Sequence, residues 1–230
     1  MGIAGPLRWH AGQGWLILVG GGELEDLTDI HRAAIEAMSD ESPVVYIPAA
    51  SASQDEGRGR GQIVTEQIEE LGGPVGYVAP IFTRADASDP KNVRRVTQAG
   101  LVYLGGGNAK KLIETCTGTP ALDALAAAYA AGAVILAEGE AACALGAWGL
   151  CASGDILAGW GWLSETLVCP AFKDTALRDA VKSKPECLGL GIPAGSALAL
   201  GPENQVQPLS ASGQQVKVVL GNRFRRSADI

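Results

Sequence analysis

The sequence is poor in the residues that most often carry metal, nucleic-acid and membrane chemistry. Its 230 residues include two histidines and five cysteines, and no two cysteines have a C-x-x-C spacing. We therefore expect reduced structural thiols, with neither a metal site nor another cofactor. Basic residues are also few, because 18 Lys and Arg stand against 25 Asp and Glu, for a net charge of −7. That balance argues against nucleic acid and anionic membranes as partners, since both would be repelled.

Long apolar runs are missing as well. Segment 1–14 has no apolar core of signal-peptide length, and it is interpreted as a short leader before a single domain at 15–230. The most apolar window, about residues 124–137, is flanked by Asp123 and Glu138 and is too short to span a bilayer. We therefore expect a cytoplasmic protein without a membrane partner.

What the sequence does contain is an alternation of apolar runs with helix-period segments. Four of these runs are predicted as core strands, at 15–20, 44–48, 101–104 and 133–137. Nearly continuous apolar strands that alternate with helices are typical of a parallel sheet covered on both faces. The sequence therefore predicts an α/β fold of three α/β/α layers with a mainly parallel central sheet.

Two regions depart from this alternation. The segment 51–62 is polar and bears several glycines and arginines, so it is predicted as a loop before a helix at 63–73. Beyond about residue 150 the runs "GDILAGWGWL", "SALALG" and "VKVVLG" are shorter and richer in Gly and Trp. This change predicts an antiparallel edge to the sheet.

Three glycine-bearing turns follow predicted strands, at Gly20–Gly22, Gly105–Asn108 and Gly139. Because the carboxyl ends of parallel strands meet at one sheet edge, we expect these turns to line one crevice. Glycines let the backbone approach a ligand, and Asn108 either caps the next helix or donates to an oxyanion. The first turn is not a dinucleotide fingerprint, since Glu25 stands where the third glycine is needed. The candidate ligand-binding residues are Gly21, Gly22, Gly106, Gly107, Asn108, Glu138, Gly139 and Glu140.

The turn at 137–141 reads Ala-Glu-Gly-Glu-Ala and has no Ser, Cys or Thr at its centre. A strand, a tight turn and a small-residue helix in this order look like the G-x-S-x-G nucleophile elbow. With "GGGE", "YIPAAS" and "GGGNAKKL" in the same order, the chain resembles the dipeptidase E and cyanophycinase family of serine peptidases over about residues 15–200. The resemblance implies a class I glutamine amidotransferase-like fold.

Residue by residue, the resemblance places substitutions at all three catalytic positions. The family's nucleophilic serine falls on Gly139, its general base on Ala171 and its orienting carboxylate on Ala194. Serine acyl transfer needs an activated hydroxyl, a base and a group that orients the base, so all three are missing. Glu138 and Glu140 flank the turn, where carboxylates would destabilise an oxyanion and favour a cationic group such as an arginyl side chain.

The sequence therefore predicts a degenerate, non-catalytic homologue that binds a small peptide or an amino acid in the old crevice. The alternative is an active peptidase or amide hydrolase with a rearranged site. Its nucleophile would be Cys143, Ser51 or Ser53, or Glu138 and Glu140 would act as acid and base. Cys143 itself is interpreted as a packed thiol, and the sequence leaves homo-oligomerisation open.

Neither histidine supplies the missing base in this interpretation. His31 lies on the apolar face of the first predicted helix and is interpreted as a core residue, while His10 lies in the leader. A purely structural or assembly role is a third hypothesis. It would be favoured by a crevice filled with Trp148, Trp160 or Trp162.

Overall fold

A computed structural model describes residues 2–210 and 213–225. The strands, in chain order, are β1 (Gly2–Ala4), β2 (Leu7–Trp9), β3 (Leu16–Val19), β4 (Val44–Ile47), β5 (Gly76–Val78), β6 (Leu101–Leu104), β7 (Val134–Glu138), β8 (Gly146–Leu150), β9 (Ile156–Ala158), β10 (Leu163–Pro170), β11 (Leu188–Ile192), β12 (Ser196–Leu200), β13 (Val206–Ser210) and β14 (Lys217–Leu220). The helices are α1 (Thr28–Glu36), α2 (Gln54–Glu70), α3 (Pro90–Thr97), α4 (Ala109–Cys116), α5 (Pro120–Ala131), α6 (Asp174–Ser183) and α7 (Asn222–Arg225). Short 3-10 helices cover Glu25–Leu27, Asp86–Ser88, Gly139–Leu145 and Pro202–Asn204.

The central sheet has the strand order β13-β12-β3-β7-β6-β4-β5. Its strands β3, β7, β6, β4 and β5 are mutually parallel, and β12 and β13 add an antiparallel edge beside β3. Every residue of the four predicted core strands that the structure assigns to β3, β4, β6 and β7 is buried. The predicted α/β fold with a mainly parallel central sheet is confirmed.

Helices cover both faces of this sheet. Along β3, Leu16 and Leu18 belong to one apolar core, while Ile17 and Val19 belong to the other. This alternation follows from the two-residue period of a strand, which points successive side chains to opposite faces. Helices α1 and α2 contribute to the core around Ile17, and α3, α4 and α5 contribute to the core around Leu16. The result is the three-layer α/β/α arrangement.

A second sheet lies outside the sequence-based expectation. It has the order β1-β2-β10-β11-β14, and β8 and β9 join it through β10. Of the three runs expected to form an antiparallel edge of the central sheet, "SALALG" does so as β12, which pairs with β3 and β13. The expectation is wrong for the other two runs, because β9 and β14 pair antiparallel with β8 and β11 in the second sheet. Strand β2, within the segment interpreted as a leader, pairs with β10 and buries Trp9 to 1% exposure. Strands this short carry too few alternating positions for periodicity to assign them to a sheet.

The predicted loop at 51–62 is wrong, because most of this segment lies in helix α2. The helix begins with a cap in which Ser53 Oγ accepts a hydrogen bond from the Glu56 amide at 3.2 Å. Two of its glycines, Gly57 and Gly61, serve packing: a Cβ atom built on Gly61 would lie 2.6 Å from the Tyr46 ring. The glycines and arginines therefore mark a helix held close to the sheet. Among the described residues, no helix is long and apolar enough to cross a membrane.

Candidate functional site

The three glycine turns lie together at the carboxyl edge of the central sheet. Strand β7 lies between β3 and β6, so the turn after β7 has the other two on either side. A Cβ atom built on Gly21 would lie 3.5 Å from the Gly139 Cα atom, and one built on Gly106 would lie 3.5 Å from the Glu138 carbonyl oxygen. Strand order thus brings together turns as distant in the chain as those at Gly21 and Gly139.

The same turns reach the residues onto which the family resemblance places the base and its orienting group. The Gly195 amide donates to the Gly21 carbonyl at 2.7 Å, which places Ala194 beside the first turn. Ala194 and Ala171 in turn line a common cavity of ≈ 490 Å³. The full lining is Ala171, Phe172, Pro193, Ala194, Gln214 and Gln215. Gly139, Ala171 and Ala194, the residues that the resemblance places at the catalytic positions, therefore lie in one region.

Two of these positions keep a left-handed backbone. Gly139 has φ +56° and Ala171 has φ +46°. Glycine adopts this conformation freely, whereas an alanine in it is disfavoured by about 1 kcal/mol. The small-residue helix expected after the elbow is the 3-10 helix Gly139–Leu145, which leads directly into β8. The elbow thus has a tight turn, but the helix that follows is not an α-helix and residue 139 has no hydroxyl.

The Glu138 carboxylate is buried and is paired within the chain. Its Oε1 atom lies 3.0 Å from Arg60 Nη2, and its Oε2 atom accepts a hydrogen bond from the Tyr103 hydroxyl at 2.8 Å. Burial by itself lowers the pKa of Arg60, but the attraction of Glu138 and their hydrogen bond raise it above the ordinary value. Sequence reasoning missed Arg60, because it placed this residue in a loop and not on α2.

The hydrogen-bond network continues from Tyr103 to helix α1. His31 Nε2 lies 3.3 Å from the Tyr103 hydroxyl, and His31 Nδ1 lies 2.7 Å from Gln67 Oε1. His31 is 1% exposed, as its interpretation as a core residue predicted. Burial lowers the pKa of His31, and the opposing effects of Gln67 and Glu138 do not offset this. A neutral ring with both nitrogens engaged is not available to activate a nucleophile at the elbow.

The Tyr46 side chain leaves no space for a side chain at Gly105, the first glycine of the second turn. Its ring stacks on Tyr103 at 5.3 Å between centroids, and a Cβ atom built on Gly105 would lie 2.0 Å from its hydroxyl oxygen. Within the described residues this hydroxyl is buried and has no hydrogen-bond partner. Burial raises the pKa of Tyr46, so the phenol stays protonated. Gly105 is therefore needed to accommodate Tyr46.

Glu140 and Asn108 hold the start of helix α4. Glu140 Oε1 accepts from the Ala152 amide at 2.8 Å, and its Oε2 accepts from the Ala109 amide at 3.5 Å. Asn108 Oδ1 accepts from the Lys111 amide at 3.0 Å, which is the capping role named among its two expected roles. Both glutamates at the elbow are thus engaged by groups of this chain. Arg60 already occupies the place opposite Glu138 that was expected to favour a ligand cation.

The alternative nucleophiles are poorly placed. Cys143 is fully buried, and its hydrogen bond to Cys151, together with burial, raises the pKa of its thiol well above the ordinary value. Ser51 is 4% exposed, and the Ser53 hydroxyl is used as the cap of α2. A nucleophile must be accessible and deprotonated as it attacks, so these side chains do not replace the missing serine.

The three tryptophans make their contacts elsewhere. Trp162 packs on Tyr129 at 5.5 Å between ring centroids, and Trp160 Nε1 donates to the Thr117 hydroxyl at 3.1 Å. The Trp148 ring lies 3.4 Å from the Lys184 ammonium nitrogen. These contacts do not fill the region around the elbow. Within residues 2–210 and 213–225, no group of three or more His, Cys, Asp or Glu side chains is arranged to hold a metal ion.

Comparisons with solved structures agree with this fold. A crystal structure of a peptidase from an acI-B1 Actinobacterium is 22% identical, with a TM-score of 0.74, and the match covers 90% of this chain and 94% of that one. A structure of a putative peptidase E protein from Listeria monocytogenes EGD-e is 15% identical, with a TM-score of 0.57, over 86% of this chain and 99% of that one. No curated protein matches the sequence.

A family comparison is more specific than these structural likenesses, which at such identities show the fold alone. The model of peptidase family S51 matches residues 16–206. That range includes the three glycine turns as well as Gly139, Ala171 and Ala194. The match therefore covers most of the chain as well as the site. The chain belongs to peptidase family S51.

Proposed function

We propose that this chain is a member of family S51 that no longer performs serine acyl transfer and binds a small peptide or an amino acid at the former active site. One observation carries the proposal: Gly139, Ala171 and Ala194 are gathered in one region, yet none of them has a functional side chain. The left-handed backbone persists at Gly139 and at Ala171. Strained backbone of this kind is typical of functional sites, and here it is found without the chemistry.

The surroundings of the elbow also oppose the peptidase reaction. The carboxyl carbon of Glu138 lies 3.6 Å from a Cβ atom built on Gly106, so a carboxylate stands beside the second glycine turn. Acyl transfer develops negative charge on an oxyanion, which needs N–H donors and is destabilised by a nearby carboxylate. Glu140, the next residue after Gly139, accepts the Ala109 amide at the start of α4. Both glutamates work against an oxyanion at this place.

The cavity beside the substituted positions supports the binding half of the proposal. Its ≈ 490 Å³ fall within the range of small-molecule sites and suit an amino acid or a dipeptide. The walls include the Phe172 ring and the side-chain amides of Gln214 and Gln215, and the cavity lining carries no formal charge. Amides can donate to and accept from peptide groups, so a neutral or zwitterionic peptide fits this lining better than a purely cationic one.

The test combines an activity assay with binding. We expect no release of amino acids from aspartyl and arginyl dipeptides above the buffer rate, and binding of one such peptide by isothermal titration calorimetry. Ala194→Leu fills part of the cavity and should weaken that binding at least about tenfold. Ala127→Leu, on an exposed position of α5, is the matched control and should leave binding unchanged.

Each half of the proposal has its own contrary outcome. Wild-type turnover well above buffer would overturn the loss of catalysis and return the rearranged hydrolase to first place, with a cysteine reagent then testing Cys143. Absence of binding to every amino acid and dipeptide tried, or equal binding by the Ala194→Leu and Ala127→Leu variants, would overturn the assignment of the cavity.

A further inference from the structure

A group of thiols lies next to the elbow and takes no part in the proposed function. Cys143 belongs to the 3-10 helix that starts at Gly139, Cys151 follows the end of β8, and Cys169 lies on β10. The Cys143 thiol is 3.7 Å from the carbonyl oxygens of Leu150 and Val168. These two carbonyls directly precede Cys151 and Cys169 in the chain, so the three cysteines come from adjoining segments.

Cys143 and Cys151 are the closest associated of the three. They share an apolar cluster with Ala109 and the partly buried Leu157. A Cβ atom built on Gly149 would lie 2.3 Å from Cys143 Cβ, so the 3-10 helix runs directly against β8. Residues two apart on a strand share a face, which places Cys151 one step along from this contact.

The environment distinguishes the two thiols. Cys143 is fully buried, whereas Cys151 is 8% exposed and borders the exposed turn at 152–155. The neighbouring Cys143 thiol lowers the pKa of Cys151 below the ordinary value, although burial and the carboxylates of Glu140 and Asp155 oppose this. Burial raises the pKa of Cys169 to about 11. Cys151 is therefore the thiol with the most thiolate character and the best access to a small oxidant.

We propose that Cys143 and Cys151 are a redox pair that forms a reversible intramolecular disulfide when the folded protein meets a peroxide. The Cys151 thiolate attacks one oxygen of hydrogen peroxide, the O–O bond breaks, and Cys151 becomes a sulfenic acid while hydroxide leaves. The Cys143 sulfur then attacks the sulfenic sulfur, and the S–S bond forms as water is released. The two thiols are oxidised and the peroxide is reduced, and a dithiol reductant reverses the step.

The disulfide would join two segments that already contact each other. Glu140 Oε1 accepts the Ala152 amide at 2.8 Å, which links the 3-10 helix to the same end of β8 one residue beyond Cys151. The bond therefore forms without separating the packed segments. It ties Gly139 and the residues that follow it to the second sheet, so the elbow region becomes covalently fixed under oxidation.

The positions of the glutamates allow the disulfide to be detected by proteolysis and mass spectrometry. Cleavage after Glu residues separates the cysteines, because the peptide 141–165 holds Cys143 and Cys151 and no other cysteine. The remaining cysteines fall in the peptides 115–138, 166–186 and 187–203. The native protein is treated with hydrogen peroxide, unfolded, alkylated with iodoacetamide, digested and analysed by mass spectrometry. We expect 141–165 to be lighter by two hydrogen atoms and unalkylated, and the other three peptides to be alkylated.

Variants separate pairing from general oxidation. Cys151→Ser and Cys143→Ser should abolish the lighter 141–165 peptide, and Cys116→Ser, a buried thiol on α4, is the matched control that should leave it intact. Circular dichroism after the peroxide treatment and before unfolding verifies that each oxidised sample is still folded. Full alkylation of 141–165 after peroxide treatment of folded protein would overturn the proposal. A crosslink between 141–165 and 166–186 would overturn it as well, since the partner of Cys151 would then be Cys169.

Discussion

The Arg60 guanidinium and the Glu138 carboxylate form an ion pair at 3.0 Å, across 78 positions of the chain. The pair joins helix α2 to the end of strand β7, immediately before the elbow. The Glu138 side chain is 9% exposed, and that of Arg60 is 32% exposed. A buried carboxylate needs a partner, and the Arg60 guanidinium provides one that holds the Glu138 side chain in place beside the glycine turns.

Removing the cation should therefore destabilise the protein. We expect Arg60→Met to lower the free energy of unfolding by about 2 kcal/mol, less than for a fully buried pair because Arg60 reaches solvent. Arg58→Met, on the exposed side of the same helix, should cost less than about 1 kcal/mol. Urea unfolding followed by circular dichroism measures both.

A double variant tests the reason for this loss. Glu138→Gln removes the unpaired charge, so adding it to Arg60→Met should restore part of the stability. Equal losses for Arg60→Met and Arg58→Met, or no recovery in the double variant, would show that the ion pair is not what matters here.

His31 should make stability depend on pH. Because its pKa is lowered in the folded protein, the unfolded chain binds a proton more readily, and protonation favours unfolding. The stabilisation is fully present above about pH 6.5 and is lost as the pH falls through that value towards the folded pKa. His31→Gln should reduce the slope of unfolding free energy against pH between about 5 and 6.5, by at most about 1.4 kcal/mol per pH unit.

His10→Gln serves as the comparison, since His10 is exposed. The slope measured for this variant is the reference for removing an exposed histidine. If His31→Gln keeps the full slope, the acid sensitivity belongs to the carboxylates and not to His31.

Replacing Ala171 with glycine should stabilise the protein. Its φ of +46° is disfavoured for a side chain by about 1 to 2 kcal/mol, and glycine costs about 0.4 to 1 kcal/mol through the freer unfolded chain. Ala171→Gly should therefore raise the free energy of unfolding by about 0.5 to 1 kcal/mol. Ala127→Gly, within α5, should lower it by about 1 kcal/mol. A loss of stability in both variants would mean that no strain is relieved at Ala171.

The central sheet could be predicted because its strands are apolar at successive positions, a pattern that local sequence displays directly. Helix α2 could not, since the glycines at its start are required by Tyr46 and other neighbours that only the fold brings close. Because this segment was predicted as a loop, Arg60 was not recognised as a residue of the site. The sequence analysis identified Gly105 as part of a glycine turn. It could not show why glycine is needed there, because the crowding atom belongs to Tyr46 on another strand.

The three substituted positions were located from the family resemblance, and not from periodicity or spacing. Their proximity then follows from strand order and from the contacts of the first turn. The second sheet escaped notice because strands such as β2 and β9 have three residues each, which is too short for a period to be recognised. These segments become strands because they pair with strands that are distant in the sequence.

Restoring the hydroxyl alone should not restore the reaction. A side chain fits at Gly139, because a Cβ atom there would lie 4.0 Å from the nearest atom, the Gly21 Cα. The new serine would have no base at Ala171 and no orienting group at Ala194, so it would stay protonated and be a poor nucleophile. We expect Gly139→Ser to release no amino acid from dipeptides above the wild-type rate.

Gly118→Ser is the matched control for strain, since Gly118 has φ +66° and open space around its Cα atom. Both serine variants should lose about 1 kcal/mol of unfolding free energy through the left-handed backbone, and neither should hydrolyse dipeptides. The assay follows ninhydrin-reactive product over time at equal concentrations of folded protein. Turnover by Gly139→Ser but not by Gly118→Ser would mean that a base still reaches the elbow. Since loss of a triad member usually lowers the rate by several orders of magnitude, even slow turnover would be decisive.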